Sequence, residues 1–188
     1  MNNIKDDLAL FHNSNIFFPT RTLYLSGEIT DELFDQFIKN IHALDCTSGP
    51  ISIKLMSPGG SVSTARAIYD AISGTKNISR IICYGEVASA ATIILQAPDV
   101  RIMTPSSKLL IHIGEEGFGM SHPRNIDNAV AACRADQKWF EDIYLENIKL
   151  VQPRFTRKQL QKLLVFDTYL TAKEAIELGL ADEIGDPQ

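Results

Sequence analysis

Short runs of alternating apolar and polar residues punctuate this chain, and between them apolar residues recur at helical spacing. Thr22 to Ser26 (TLYLS) reads as a strand, and Thr30 with Asp31 and Glu32 supplies an N-cap and an acidic first turn. The helix that follows carries Leu33, Phe34, Phe37, Ile38, Ile41 and Leu44 along one stripe. Ile51, Ile53 and Leu55 alternate with polar neighbours, the pattern of a half-buried strand. That strand ends in Ser57-Pro58-Gly59-Gly60-Ser61, after which Ala65, Ile68 and Ile72 form the apolar face of a second helix. Residues 78–84 (ISRIICY) predict a buried strand, residues 85–91 a turn of small residues, and residues 88–97 (ASAATIILQA) a buried helix. Short strands are expected at 100–103 and 109–112. The longest helical pattern covers 124–150, with Ile126, Val130, Cys133, Phe140, Tyr144 and Ile148 near helical spacing. Thr156…Gln159 and Thr171…Glu174 are capping-box signatures, and Gly179 is placed to end the last helix. Strands alternate with helices throughout, so the fold class is α/β. Residues 1–20, mixed polar and aromatic, read as an N-terminal arm, and residues 21–188 as one domain without repeats or linkers.

Composition narrows the function. The 188 residues are 45% hydrophobic and 22% charged, ordinary for a soluble globular chain with a substantial core. A net charge of −5, with no basic stripe, argues against nucleic acid and against anionic membranes as partners. No run approaches the ~18 apolar residues of a membrane span, and the N-terminus, with Asp6 and Asp7, does not read as a secretory signal. Three widely spaced cysteines (Cys46, Cys83, Cys133) suit small buried residues of a reducing compartment better than disulfides or a zinc site. A cytoplasmic protein is expected.

Ser89 lies between an apolar strand pattern and an apolar helix pattern, where the first helical N–H groups have no partner and favour negative charge. An acyl-transfer serine needs a base, a group to orient the base, and donors for the oxyanion. Of the four histidines, His12, His42 and His122 read as solvated, whereas His112 ends an apolar strand at a glycine-bearing loop. Asp167 follows Leu163-Leu164-Val165-Phe166 and precedes Tyr169-Leu170, an acid in a segment suited to burial. A histidine N–H would make that burial tolerable, and so would a structural hydrogen bond. In Ser57-Pro58-Gly59-Gly60, proline stops the ladder and the glycines let backbone approach a ligand, so the Gly60 and Ala90 amides are candidate oxyanion donors. An ordinary strand-to-helix turn has the same composition. No Gly-Lys-Ser/Thr follows it, there is no Gly-x-Ser-x-Gly elbow, and no metal-binding motif occurs.

These pieces resemble the proteolytic subunit of the Clp protease. The resemblance is carried by Ser57-Pro58-Gly59-Gly60 with Ala67-Ile68-Tyr69-Asp70, by Gly85…Ala88-Ser89-Ala90, by Leu110-Ile111-His112, and by Asp167 through Ala175 running on to Gly179-Leu180-Ala181-Asp182-Glu183-Ile184. It implies a crotonase-like spiral of strand-turn-helix units with an extended handle segment. It implies a serine endopeptidase with Ser89 as nucleophile, His112 as base and acid, Asp167 as orienter, and the Gly60 and Ala90 amides at the oxyanion. It further implies polypeptide substrates, a homo-oligomeric ring (a heptamer or two stacked as a tetradecamer), a separate AAA+ unfoldase or sister Clp subunit as partner, and no cofactor for peptide hydrolysis itself. Glu86, Val87 and Ala90, the Ile113-Gly114 after the histidine, and Phe166 and Thr168 flanking Asp167 depart from the family's usual residues. Rival readings are an acyl-CoA enzyme of the same fold, a serine–lysine peptidase using Lys108, and a non-catalytic ring subunit.

Overall fold

The computed structural model describes residues 13–114 and 122–185, together with Ala9 and Phe11. In chain order the elements are β1 (Ile16–Phe17), a 3-10 turn (Phe18–Thr20), β2 (Thr22–Ser26), α1 (Asp31–Asp45), β3 (Ile51–Ser57), α2 (Val62–Ser73) and β4 (Ser79–Ala88). They continue with α3 (Ala90–Ile94), β5 (Val100–Met103), β6 (Lys108–Ile111), α4 (Pro123–Val151), α5 (Arg157–Leu164), β7 (Thr168–Thr171), α6 (Ala172–Leu178) and β8 (Glu183–Ile184). The main sheet runs β1-β2-β3-β4-β5-β8, parallel except for β1 at one edge. This is the α/β arrangement expected from the alternation of periodicities.

Each crossover helix forms for local reasons and is held by what it covers. The Thr30 side chain accepts from the Leu33 N–H and that of Ser61 from the Thr64 N–H. Both expected capping boxes close, at Thr156/Gln159 and Thr171/Glu174, and Gly179 takes the left-handed C-cap at φ +90. Helix α1 buries Phe37, Ile41 and Leu44, while α2 buries Ala65, Ile68 and Ile72, against Ile51, Ile53 and Leu55 of the central strand β3. Each of the larger of these side chains, Ala65 excepted, contributes about 1.5–3 kcal/mol of transfer free energy.

Three expectations need correction. Residues 85–88 are strand, not turn: β4 continues to Ala88, and the following helix starts only at Ala90. The register with β3 moves from Leu55↔Cys83 to Ser57↔Val87, so β4 carries two extra residues around Gly85, at φ +55. Beyond that bulge, Glu86, Val87 and Ala88 pair with Lys108, Leu109 and Leu110. A new neighbour thus supplies the ladder that small residues with weak strand propensity could not predict. Second, of the three cysteines only Cys83 is buried; Cys133 is half-buried and Cys46 exposed. Burial pushes the Cys83 thiol up, leaving it protonated and inert.

Third, residues 13–20 of the expected arm are tied to the sheet. Ile16 is fully buried, β1 pairs with β2, and Asn15 and Asn40 bridge this segment to α1. Helix α4 spans 29 residues, but its apolar stripe divides. Phe140, Ile143, Tyr144, Leu145 and Ile148 are buried, whereas Ile126, Val130 and Cys133 are only half-covered. Among the described residues no helix is long and apolar enough to cross a membrane.

Candidate active site

Three strand ends meet at one edge of the sheet. β4 and β6 are parallel, with Ala88 opposite Leu110, so both deliver the residue beyond their carboxyl ends to the same place. β7 runs antiparallel to β6, with Ile111 opposite Thr168, and the next pair in that register is His112 and Asp167. Residues 89, 112 and 167 are thereby brought together at the carboxyl ends of parallel strands, where α/β sheets commonly bind ligands. The Ser89 N–H donates to Leu110 O at 2.8 Å, and the Ile113 N–H to Leu164 O at 2.9 Å, which fixes each neighbour of the cluster.

His112 Nε2 lies 2.8 Å from Ser89 Oγ, and His112 Nδ1 lies 3.0 Å from Asp167 Oδ1. A carboxylate only accepts, so Nδ1–H donates to Asp167 and Nε2 is left to accept from the serine hydroxyl. Ser89 has φ +53 and ψ −128, a conformation that L-residues rarely adopt. Its carbonyl is held by Thr92, through both the backbone N–H and the hydroxyl, at 2.9 and 2.6 Å. That commits the Thr92 proton, so the Tyr144 hydroxyl donates to Thr92 Oγ1 at 2.5 Å. Burial pushes the Tyr144 phenol up, and the Thr92 bond only partly opposes this, so it stays a neutral donor. Neither Thr92 nor Tyr144 stood out in the sequence, where both read as parts of apolar helix faces.

Asp167 occupies the expected place but not the expected environment. Its side chain is 62% exposed, and its neighbours Val165 and Phe166 are 59% and 77% exposed. The burial argument fails because, among the described residues, β7 pairs with β6 alone and its other edge has no partner strand. The apolar run that suggested a core segment covers the end of α5 instead.

The glycine turn is built around two amides. The Ile29 N–H donates to Gly59 O and the Ser61 N–H to Ile29 O, so in this short parallel bridge the Gly60 N–H points to the opposite side. Ala90 opens α3, where an N–H has no intrahelical acceptor. Neither amide has a hydrogen-bond acceptor among the described residues. The buried Ser57 hydroxyl accepts from the Gly59 N–H at 3.1 Å and braces the turn. A Cβ on Gly59 would stand 2.7 Å from Ser89 Cβ and 3.1 Å from Ala90 N, so the turn lies directly against Ser89 and the residue after it.

The remaining candidates are elsewhere. Lys108 is exposed at the far end of β6, four residues or about 13 Å of strand from His112. His42 is exposed on α1, and His122 caps α4 by accepting from the Arg124 N–H. His12 falls outside the described residues.

Comparison with known proteins agrees with this architecture. A family model described as Clp protease matches residues 6–188. The ATP-dependent Clp protease proteolytic subunit 2 of Treponema denticola is 32% identical over 189 residues, covering 97% of this chain and 89% of the relative. The proteolytic subunit of Chlorella vulgaris is 31% identical over 175 residues, covering 90% and 84%. Among solved structures, a ClpP1 mutant from Listeria monocytogenes superimposes with a TM-score of 0.79 at 25% identity, covering 90% of this chain and 94% of that one. The fold is therefore the ClpP-type, crotonase-like α/β fold. With a family match across nearly its whole length, the chain belongs to the Clp protease family.

Proposed function

We propose that this chain is a serine endopeptidase in which Ser89, His112 and Asp167 act as a triad. Ser89 Oγ attacks a peptide carbonyl while His112 Nε2 takes its proton and later gives it to the departing amine. Asp167 keeps the imidazole in the required tautomer and stabilises the imidazolium. The Gly60 and Ala90 N–H groups receive the oxyanion, and water then hydrolyses the acyl-enzyme. Oxyanion donors of this kind are each worth a factor of about 10²–10³. The chemistry needs no cofactor. ATP belongs to a separate AAA+ unfoldase that feeds unfolded polypeptide to the chamber of a homo-oligomeric ring, a heptamer or a stacked tetradecamer. Apolar side chains left in water by a lone chain, Phe166 at 77% and Leu150 at 80% exposure, support assembly. The compartment would be cytoplasmic.

The observation that carries this reading is the unbroken contact from Asp167 Oδ1 through His112 to Ser89 Oγ, at 3.0 and 2.8 Å. A fluorophosphonate probe tests it: the adduct is expected on Ser89 by peptide mass, and lost in Ser89→Ala and His112→Ala. Assembled protein that takes no probe and cuts no peptide, alone or with unfoldases and sister subunits, would instead be a non-catalytic ring subunit.

A further inference from the structure

A cavity of about 210 Å³ opens beside this cluster, between Ile113 and Gly114, which follow His112, and Val62, two residues after Gly60. Its far wall is α4, with half-covered Val130 and Cys133, exposed Arg134 and buried Phe140. A peptide carbonyl at Ser89, with its oxygen on the Gly60 and Ala90 amides, directs the side chain on its acyl side to a neighbouring concavity. This one is bounded by Val62, the first residue of the helix into which the glycine turn leads, and by the histidine loop. At about 30 Å³ per water it holds roughly seven, room for one medium-sized side chain.

The charges around the cavity are not balanced. Asp136 is held by Arg66 at 2.6 Å, and the Gln137 amide N–H donates to Glu141 at 2.8 Å. Arg134 alone among the charged lining residues has no side-chain hydrogen bond or ion pair among the described residues. Val62, Ile113, Val130 and Phe140 give the walls an apolar character that suits a methylene stem.

We propose that this cavity receives the side chain preceding the scissile bond, and that Arg134 makes it favour one with an apolar stem and a terminal carboxylate, that of glutamate. The inference rests on the triad reading of Ser89. A planar guanidinium pairs with a carboxylate through two parallel N–H donors and repels a cation. An amide oxygen gains one of those bonds, so glutamine ranks second, and lysine is rejected.

Fluorogenic peptides differing only at that position, with Glu, Gln, Leu or Lys, test the selection on the assembled protein. Glutamate is expected to exceed lysine by at least about tenfold in kcat/KM, and Arg134→Gln to lower glutamate about five- to tenfold with leucine unchanged, since Arg134 is solvent-exposed and its bond is correspondingly discounted. A glutamate-to-leucine ratio that Arg134→Gln leaves unaltered overturns the proposal. Cys133 gives a readout that needs no turnover. A peptide aldehyde ending in glutamate should protect Cys133 from iodoacetamide while exposed Cys46 still reacts, and the protection should weaken in Arg134→Gln. Normal probe labelling of Ser89 with no protection of Cys133 removes the cavity assignment and keeps the peptidase. No labelling of Ser89 at all removes both.

Discussion

Replacing Gly59 by alanine should disable Ser89 without substituting any residue of the proposed triad. The added Cβ would meet Ser89 Cβ at 2.7 Å, Ala88 O at 2.8 Å and Ala90 N at 3.1 Å. None of these is the end of a flexible side chain, and an unstrained carbon–carbon contact needs about 3.5–4.0 Å, so the turn or the nucleophile must move by nearly an ångström. A displacement of that size in a catalytic group costs about 10²-fold in rate. Stability falls by two separable contributions. The φ of +98 costs an L-residue about 1–2 kcal/mol, and the overpacking a further ~1–3 kcal/mol. Gly27 is the internal control: its φ is +89 and an added Cβ would meet nothing within 4 Å, so Gly27→Ala isolates the backbone contribution. Fluorophosphonate labelling rate and thermal unfolding are measured on both variants. At about 2–4 °C per kcal/mol for a chain of this size, Gly27→Ala should lose roughly 2–8 °C and label normally. Gly59→Ala should lose more and label about 100-fold more slowly. Equal labelling by the two variants would refute the claim that the glycine turn sets the position of Ser89.

Other perturbations address different parts of the molecule. Ser57→Ala strands the buried Gly59 N–H, and a loss of about tenfold in kcat at unchanged KM is expected if the turn carries the proposed oxyanion amide, because only that turn loosens. His112→Ala should reduce peptide cleavage by at least ~10³-fold whereas Lys108→Ala leaves it near wild type; the opposite ranking would favour a serine–lysine mechanism. Arg157 pairs with Asp142 and, at 2.9 Å, with Glu141, whose side chain is only 3% exposed. Arg157→Ala leaves that carboxylate to Gln137 and Gln161, and should cost about 2–3 kcal/mol, read as a shift in the urea midpoint. A shift too small to measure would mean that the pair joining α4 to α5 is energetically idle. Finally, burial pushes the Asp182 carboxyl up, but hydrogen bonds and charge from Arg101 outweigh it and hold it below its ordinary 3.8. A depressed folded-state value stabilises the protein above the unfolded value and is lost as pH falls through the folded one. Asp182→Asn should therefore be less stable at neutral pH and show a flatter decline below about pH 4 in thermal scans; parallel curves for the two proteins would contradict it.

Much of the fold was legible because local signals agreed with it. Thr30, Ser61, Thr156 and Thr171 cap the helices they precede, and the stripes of α1 and α2 are the faces that the sheet covers. Ser89 was legible from its neighbours: only small residues fit where a strand turns into a helix against another backbone, and Gly59 does sit that close. Asp167 was harder. Its run of apolar neighbours suggested burial, yet Val165, Phe166 and Tyr169 are exposed while Leu164 and Leu170 are buried, because whether a strand is covered depends on what pairs with its other edge.

The chain's own chemistry determined the periodicities, the caps, the glycine turn and the residue types able to move a proton, since these depend on interactions within a few residues. Tertiary structure alone decided that β4 bulges at Gly85 to take up β6, and that the register of β6 with β7 sets His112 opposite Asp167. It also decided that Tyr144, 52 positions away along the chain, steadies the Thr92 hydroxyl behind Ser89. Strand register and partner choice are set by which surfaces the whole chain buries together, and no short window of residues contains that information.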